Sequence, residues 1–194
     1  MRRTVIAVLA VTLLLGTVLL AGELAGVTMP DQVTVGEHTL TLNGMGLRTK
    51  KVLFIGVKVY VAGLYLPQKS SDPASIITSD EPKQSGMHFL YKDVGKKKLV
   101  EAWNEGFKAN APVSMDALKS RLATFNGYWS DMKTGDVAVL TYVPGQGTKV
   151  EIKGKDMGTI KGLDFAEALF SVWLGPQPPN GELKEGLLGK SSGE

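Results

Sequence analysis

The sequence predicts an α+β fold, an antiparallel sheet with helices on one face, and three observations carry that prediction. Two-residue alternation of apolar side chains dominates residues 33 to 66 and returns between 137 and 161. Helical spacing fills the interval between them, at Leu99, Val100, Trp103 and Phe107 and again at Met115, Leu118, Leu122 and Phe125. Strands therefore come in runs, without the strand-helix-strand alternation that a parallel sheet requires.

Taken in order, Val33 and Val35, the polar pair Gly36-Glu37 and the stretch Thr39 to Leu42 predict a β-hairpin. A glycine-punctuated bend is expected at Asn43-Gly44-Met45-Gly46. Val52 to Leu66 is the longest strand signal. It sets Leu53, Ile55, Val57, Val59 and Val61 on one face against Phe54, Lys58, Tyr60, Ala62 and Leu64 on the other. Gly56 and Gly63 mark expected bulges or close backbone approach within it. A polar loop follows from Lys69 to Lys83, with a short helix after Asp72-Pro73, and Met87 to Tyr91 is expected to be a strand.

Ser114 is the expected cap of the second of the two amphipathic helices. Val137 to Val143 and Lys149 to Lys153 predict a hairpin across Pro144-Gly145-Gln146-Gly147, with a third short strand at Gly158 to Lys161. Asp164 is expected to cap a helix bearing Phe165, Leu169, Val172 and Trp173 on one face, with Glu167 completing a capping box and Gly175-Pro176 stopping it. Residues 22 to 194 are expected to form one domain, frayed from Lys190 onward.

Before that domain, Arg2 and Arg3 precede an apolar run from Val5 to Ala21 that leads to the small residues Ala21 and Gly22. A basic start, a core near the lower length limit for a bilayer span and a small-residue end predict a cleaved secretory signal over residues 1 to 21. The mature chain is then expected to be exported and periplasmic. The alternative is an uncleaved anchor facing the same compartment.

A chain that is 43% hydrophobic and 21% charged is neither disordered nor collagen-like. The absence of cysteine excludes a disulfide scaffold, a thiolate metal site and a cysteine nucleophile. Without Arg2 and Arg3 the 22 basic and 19 acidic residues balance to +1, which gives no electrostatic basis for a nucleic-acid partner. His38 and His88 are the only histidines, with no carboxylates clustered near either, so no metal is expected. Gly186-Leu187-Leu188-Gly189-Lys190-Ser191 has Lys184 where a phosphate loop needs its first glycine. Gly44-Met45-Gly46 lacks the third glycine of a dinucleotide fingerprint. No cofactor and no serine chemistry are expected. Lys96-Lys97-Lys98 is expected to be a solvated helix start, although three lysines there oppose the macrodipole and hint at a local anion.

Asn43-Gly44-Met45-Gly46-Leu47-Arg48 and Val57 to Leu66 resemble the chalcone isomerase superfamily, in particular its bacterial exported chalcone-isomerase-like branch. So do Tyr142 to Thr148, Gly158 to Gly162, Phe165 and Ser171-Val172-Trp173-Leu174-Gly175. The resemblance implies an open-faced β-sandwich, a large antiparallel sheet with a layer of helices and a ligand cleft between them. It further implies that Arg48 matches the arginine with which the true isomerases hold the substrate's anionic oxygen. Tyr60 stands where those enzymes have a threonine, and Lys97-Lys98-Leu99 supplies no aromatic hydroxyl where their catalytic tyrosine would fall.

Arg48 with Tyr60 is also similar to the arginine-tyrosine pair that holds a carboxylate in plant fatty-acid-binding relatives. The leading expectation is therefore a non-catalytic domain that binds a small amphipathic or apolar carboxylate ligand such as a fatty acid, with Arg48 and Tyr60 on its head group. The alternatives are an isomerase (intramolecular lyase) using Arg48 and Tyr60, and a scaffold whose cleft is filled by its own side chains. Arg48 bonded to loop carbonyls and Tyr60 as a cross-strand aromatic is the structural reading of the same pair. Simple alternation places Tyr60 beside Lys58, so a cleft site needs a bulge near Gly56 or Gly63, or helices on the less apolar face of this strand.

Overall fold

The computed structural model describes residues 22–190. The expected signal segment and residues 191–194 of the expected frayed end lie outside them. A small hairpin of β1 (Gly22–Leu24) and β2 (Val27–Met29) comes first. It is followed by seven strands whose order in the sheet is their order in the chain, every neighbour antiparallel. They are β3 (Gln32–Val35), β4 (His38–Val52), β5 (Ile55–Leu66), β6 (Lys83–Phe89), β7 (Val137–Val143), β8 (Gly147–Ile152) and β9 (Lys155–Ile160). Helix α1 (Pro73–Thr78) joins β5 to β6, α2 (Lys96–Asn110) and α3 (Met115–Tyr128) join β6 to β7, and α4 (Leu163–Leu174) and α5 (Gly181–Leu187) end the described chain. The α+β architecture is the expected one.

Helices cover the sheet face that the sequence made the less apolar. Tyr60, Ala62 and Leu64 of β5 join Phe107, Phe125, Phe165 and Trp173 in the larger core, because aromatic side chains from the helices supply the apolar area that this face of β5 lacks. The more apolar row, with Val61, Leu40 and Leu42, packs instead beneath Met29 of the β1–β2 hairpin. Two glycines mark close approach, and at Gly46, where the neighbour is backbone, glycine is required. A Cβ at Gly63 would overlap Met29 Sδ, and one at Gly46 would overlap the Leu183 carbonyl of α5.

Several elements differ from expectation. Asn43 to Gly46 is no bend but part of the long β4, and Gly44 and Gly46 serve to let α5 lie on the strand backbone. The strand signal from Val52 to Leu66 is interrupted at Leu53-Phe54, the turn between β4 and β5, with Leu53 at φ 57°. Neither bulge falls at a glycine of β5: the extra residues are Asn43 on β4 and Val59 on β5. Helix α4 starts after Gly162 (φ 105°), not at Asp164. The Asp164 carboxylate, inside the first turn, receives both Arg121 Nη1 and Nη2 at 2.6 Å, so the capping box with Glu167 does not form. Helix α5 has no counterpart in the sequence reading. Lys190, expected to fray, donates its N–H to Glu185 O at 3.0 Å. Ser114 does cap α3, accepting from Ala117 N, and Lys96 to Lys98 form an exposed start to α2, where Asp131 Oδ1 accepts the Lys96 backbone N–H at 2.7 Å.

Among the described residues no helix is long and apolar enough to cross a membrane. Lys83 is a fully buried cation on β6, its Nζ donating to Ile76 O (2.6 Å) and Ser79 O (2.8 Å) at the carboxyl end of α1. Burial lowers its pKa to about 8, against the opposing pull of Glu167, Asp80 and Glu81.

Candidate functional site

Where β5 bulges, the sheet and α2 part to leave a cleft of about 560 Å³. The extra residue at Val59 breaks strict alternation, so Val57, Val59 and Tyr60 all line the same wall. Leu99, Ala102 and Trp103 of α2 form the opposite wall, with Met87 and Val172 between. Tyr60 reaches the cleft because the helices cover the less apolar face of β5, and the bulge at Val59, not at Gly56 or Gly63, brings Val57 and Val59 to the same wall. Gln177, Pro178 and Pro179, the segment leading into α5, complete the lining.

Arg48 and Tyr60 are directly paired across β4 and β5, and both line the cleft. Tyr60 is 7% exposed, and its hydroxyl accepts a hydrogen bond from Trp173 Nε1 at 3.1 Å. With the indole N–H on one lone pair, its own O–H has no acceptor among the described residues. Burial raises the Tyr60 pKa, only partly offset by the Trp173 bond and by the charge of Arg48, so the group stays a neutral donor.

Half-buried Arg48 commits one nitrogen to structure. Its Nη1 donates to Thr49 O, to Pro179 O at 3.0 Å and to Asn180 Oδ1 at 3.4 Å. Nε and Nη2 make no hydrogen bond among the described residues. The loop-carbonyl reading of Arg48 therefore describes one corner of the guanidinium, and the side-on fork that fits a carboxylate remains uncommitted.

Asn180 sets this geometry. Its Nδ2 donates to Leu47 O at 3.0 Å and its Oδ1 accepts from Thr49 N, which grips β4 on both sides of Arg48. At the other end of α5, Asn43 Nδ2 donates to Leu187 O at 2.7 Å and to Ser70 O. Two asparagines thus strap α5 along β4 and hold the arginine in place. Lys50, Lys98, Asp93, Glu105 and Tyr91 add a mixed polar margin to the cleft.

The family model for chalcone isomerase-like proteins matches residues 21–189. The chain belongs to the chalcone isomerase-like family. Among solved structures it is similar to a fatty-acid binding protein of Arabidopsis thaliana, at 18% identity and a TM-score of 0.67 over 87% of this chain and 95% of that one. At that identity the likeness establishes a shared fold. A search of the curated proteins gives no match.

Of the residues named from sequence, Arg48 and Tyr60 are brought together. Trp173, Asn180 and Tyr91 were not named for the site. Trp173 belonged to a segment that carried the resemblance but was read as helix core. Asn180 precedes a helix that the sequence did not announce, and Tyr91 comes from the loop after β6, upstream of Lys97-Lys98-Leu99. Lys98 and Leu99, at the place where the isomerases' tyrosine would fall, line the cleft.

Proposed function

We propose that this protein binds an apolar carboxylate, of the fatty-acid class, without transforming it. The observation that carries the reading is that two residues lining one cleft keep donors without partners among the described residues: Arg48, through Nε and Nη2, and Tyr60, whose O–H Trp173 leaves free to donate. A carboxylate there receives a forked charge-assisted pair and a third hydrogen bond, while its chain replaces water against Val57, Val59, Leu99 and Trp103. The cleft volume lies within the roughly 300–1,000 Å³ of small-molecule sites. The fatty-acid binding activity of the structurally similar plant protein agrees with this ligand class. Export to the periplasm, read from residues 1 to 21, is part of the same proposal and would place the cleft among envelope lipids. Of the two roles that the isomerase reading gives Tyr60, acid or base, the base needs a lowered pKa, and burial moves that pKa the other way.

Calorimetric titration of saturated acids from decanoate to palmitate, with the matching alcohols as controls, tests the reading. Arg48→Ala is expected to weaken the acids by about 2–5 kcal/mol, thirty-fold to several-thousand-fold, because the carboxylate loses its charged partner. The alcohols should be nearly unaffected. Tyr60→Phe should cost about 1.5–3 kcal/mol of acid affinity, and it should also lower the melting temperature, since Trp173 Nε1 is left buried without an acceptor. A wild type that binds no acid, or an Arg48→Ala variant that binds acids as tightly as wild type, overturns the proposal.

A further inference from the structure

The end of the β4–β5 hairpin is built to be exposed and apolar. β6 pairs with β5 no further than Tyr60↔Phe89, so Ile55 to Lys58 pair only with Thr49 to Val52. The two strands run on alone for about 15 Å at about 3.4 Å per residue. At the apex Leu53, Phe54 and Ile55 are 88%, 100% and 70% exposed, the exposed large hydrophobic residues of the described chain. Leu53 also holds a left-handed backbone (φ 57°) where glycine or asparagine would be unstrained, so an apolar side chain is kept at the turn against local preference.

Along this hairpin the charge has one sign. Lys50, Lys51 and Lys58 are exposed, Arg48 is half-buried behind them, and no acidic residue occurs between Glu37 and Asp72. A second copy docked symmetrically tip to tip would set these cations against themselves. Gly22, where the described chain begins, packs near Leu42 and Met45, some eight residues back along β4 and roughly 25 Å from the apex. An apolar wedge with a basic collar is complementary to one surface, an anionic lipid bilayer: aromatic and aliphatic side chains enter the acyl boundary and lysines meet the head groups.

We propose that the Leu53-Phe54-Ile55 tip docks this protein on anionic membranes. The same hairpin carries Lys50, Val57 and Val59 into the cleft lining, so docking sets the margin of the cleft beside the lipid surface. The proposal rests on the hairpin and holds whether or not a fatty acid is the cleft's ligand.

The chain contains no cysteine, so Gly56→Cys, whose side chain meets open space, gives a unique attachment point for the environment-sensitive fluorophore NBD while keeping the apex intact. With full-length protein and phosphatidylcholine vesicles containing about a third phosphatidylglycerol, the label is expected to gain several-fold in emission and shift to the blue. Quenching by spin-labelled lipid should follow. A label at Lys155→Cys, on the far edge strand, should not respond. Adding Leu53→Ser and Phe54→Ser should abolish the response while leaving decanoate affinity in solution unchanged. Lys51→Gln with Lys58→Gln should weaken partitioning about 25-fold, since each lysine near an anionic surface is worth about fivefold. No response at position 56, an equal response at position 155, or a response unchanged by the serine substitutions overturns docking by the tip. So does a response to protein concentration alone, which would identify a second copy as the occupant.

Discussion

One hairpin contains two kinds of β-structure, and the bulge at Val59 divides them. From Thr41 to Arg48, β4 is held on one edge by β5, along its surface by α5 and at both ends of that helix by Asn43 and Asn180. Beyond Thr49, whose N–H Asn180 still holds, Lys50 to Val52 pair only with Ile55 to Val57. The inner half owes its rigidity to backbone-to-backbone approach, with glycines where α5 touches the strand. The outer half lacks a third strand and a covering layer, the condition in which an isolated pair of strands is marginal in water. Arg48 stands on the boundary. It is gripped by the rigid half through Asn180 and Pro179 and opens toward the cleft that the bulge creates.

The sharpest way to break this contrast is to add one carbon to each half. Gly46→Ala should destabilise by about 3 kcal/mol or more, because the new Cβ overlaps the Leu183 carbonyl and neither backbone can yield without moving α5. Chemical denaturation should show the loss, and acid binding should fall with it as the grip on Arg48 loosens. Gly56→Ala in the outer half meets nothing within 4 Å and should do the opposite, stabilising by about 0.4–1 kcal/mol through the lost freedom of the unfolded chain. Equal costs at the two positions would erase the distinction between the halves.

Much of the fold was legible because most strands and helices bury regular stripes. Leu99, Trp103 and Phe107 on α2, and Leu118, Leu122 and Phe125 on α3, fell where helical spacing put them. The turn at Leu53-Phe54 was not legible, since it uses apolar residues that continue the strand pattern and no glycine, asparagine or proline. Helix α5 was missed because its seven residues bury only Leu183 and Leu187 and are bounded by glycines. The same glycines that read as a bend at 44 and 46 are explained by that unseen helix. In the site, Arg48 and Tyr60 were reachable through the family resemblance. Their usable geometry was not, because a bulge at a valine leaves no mark on composition, and the Trp173 partner of Tyr60 lies 113 residues away in sequence.

The claim that Arg48 and Tyr60 hold a carboxylate is tested most directly by the ionisation of the ligand itself. Decanoic acid labelled with carbon-13 at the carboxyl should give a bound resonance whose pH titration lies below the roughly 4.3 of an ordinary side-chain carboxylic acid, because donors of both residues favour the charged form. Affinity for the acid should then be full at neutral pH and fall as pH drops through that lowered value. In Arg48→Ala the bound carboxyl should titrate upward toward or above the ordinary value, left with desolvation and one phenol. A bound carboxyl that titrates at the same pH in wild type and Arg48→Ala would contradict the account.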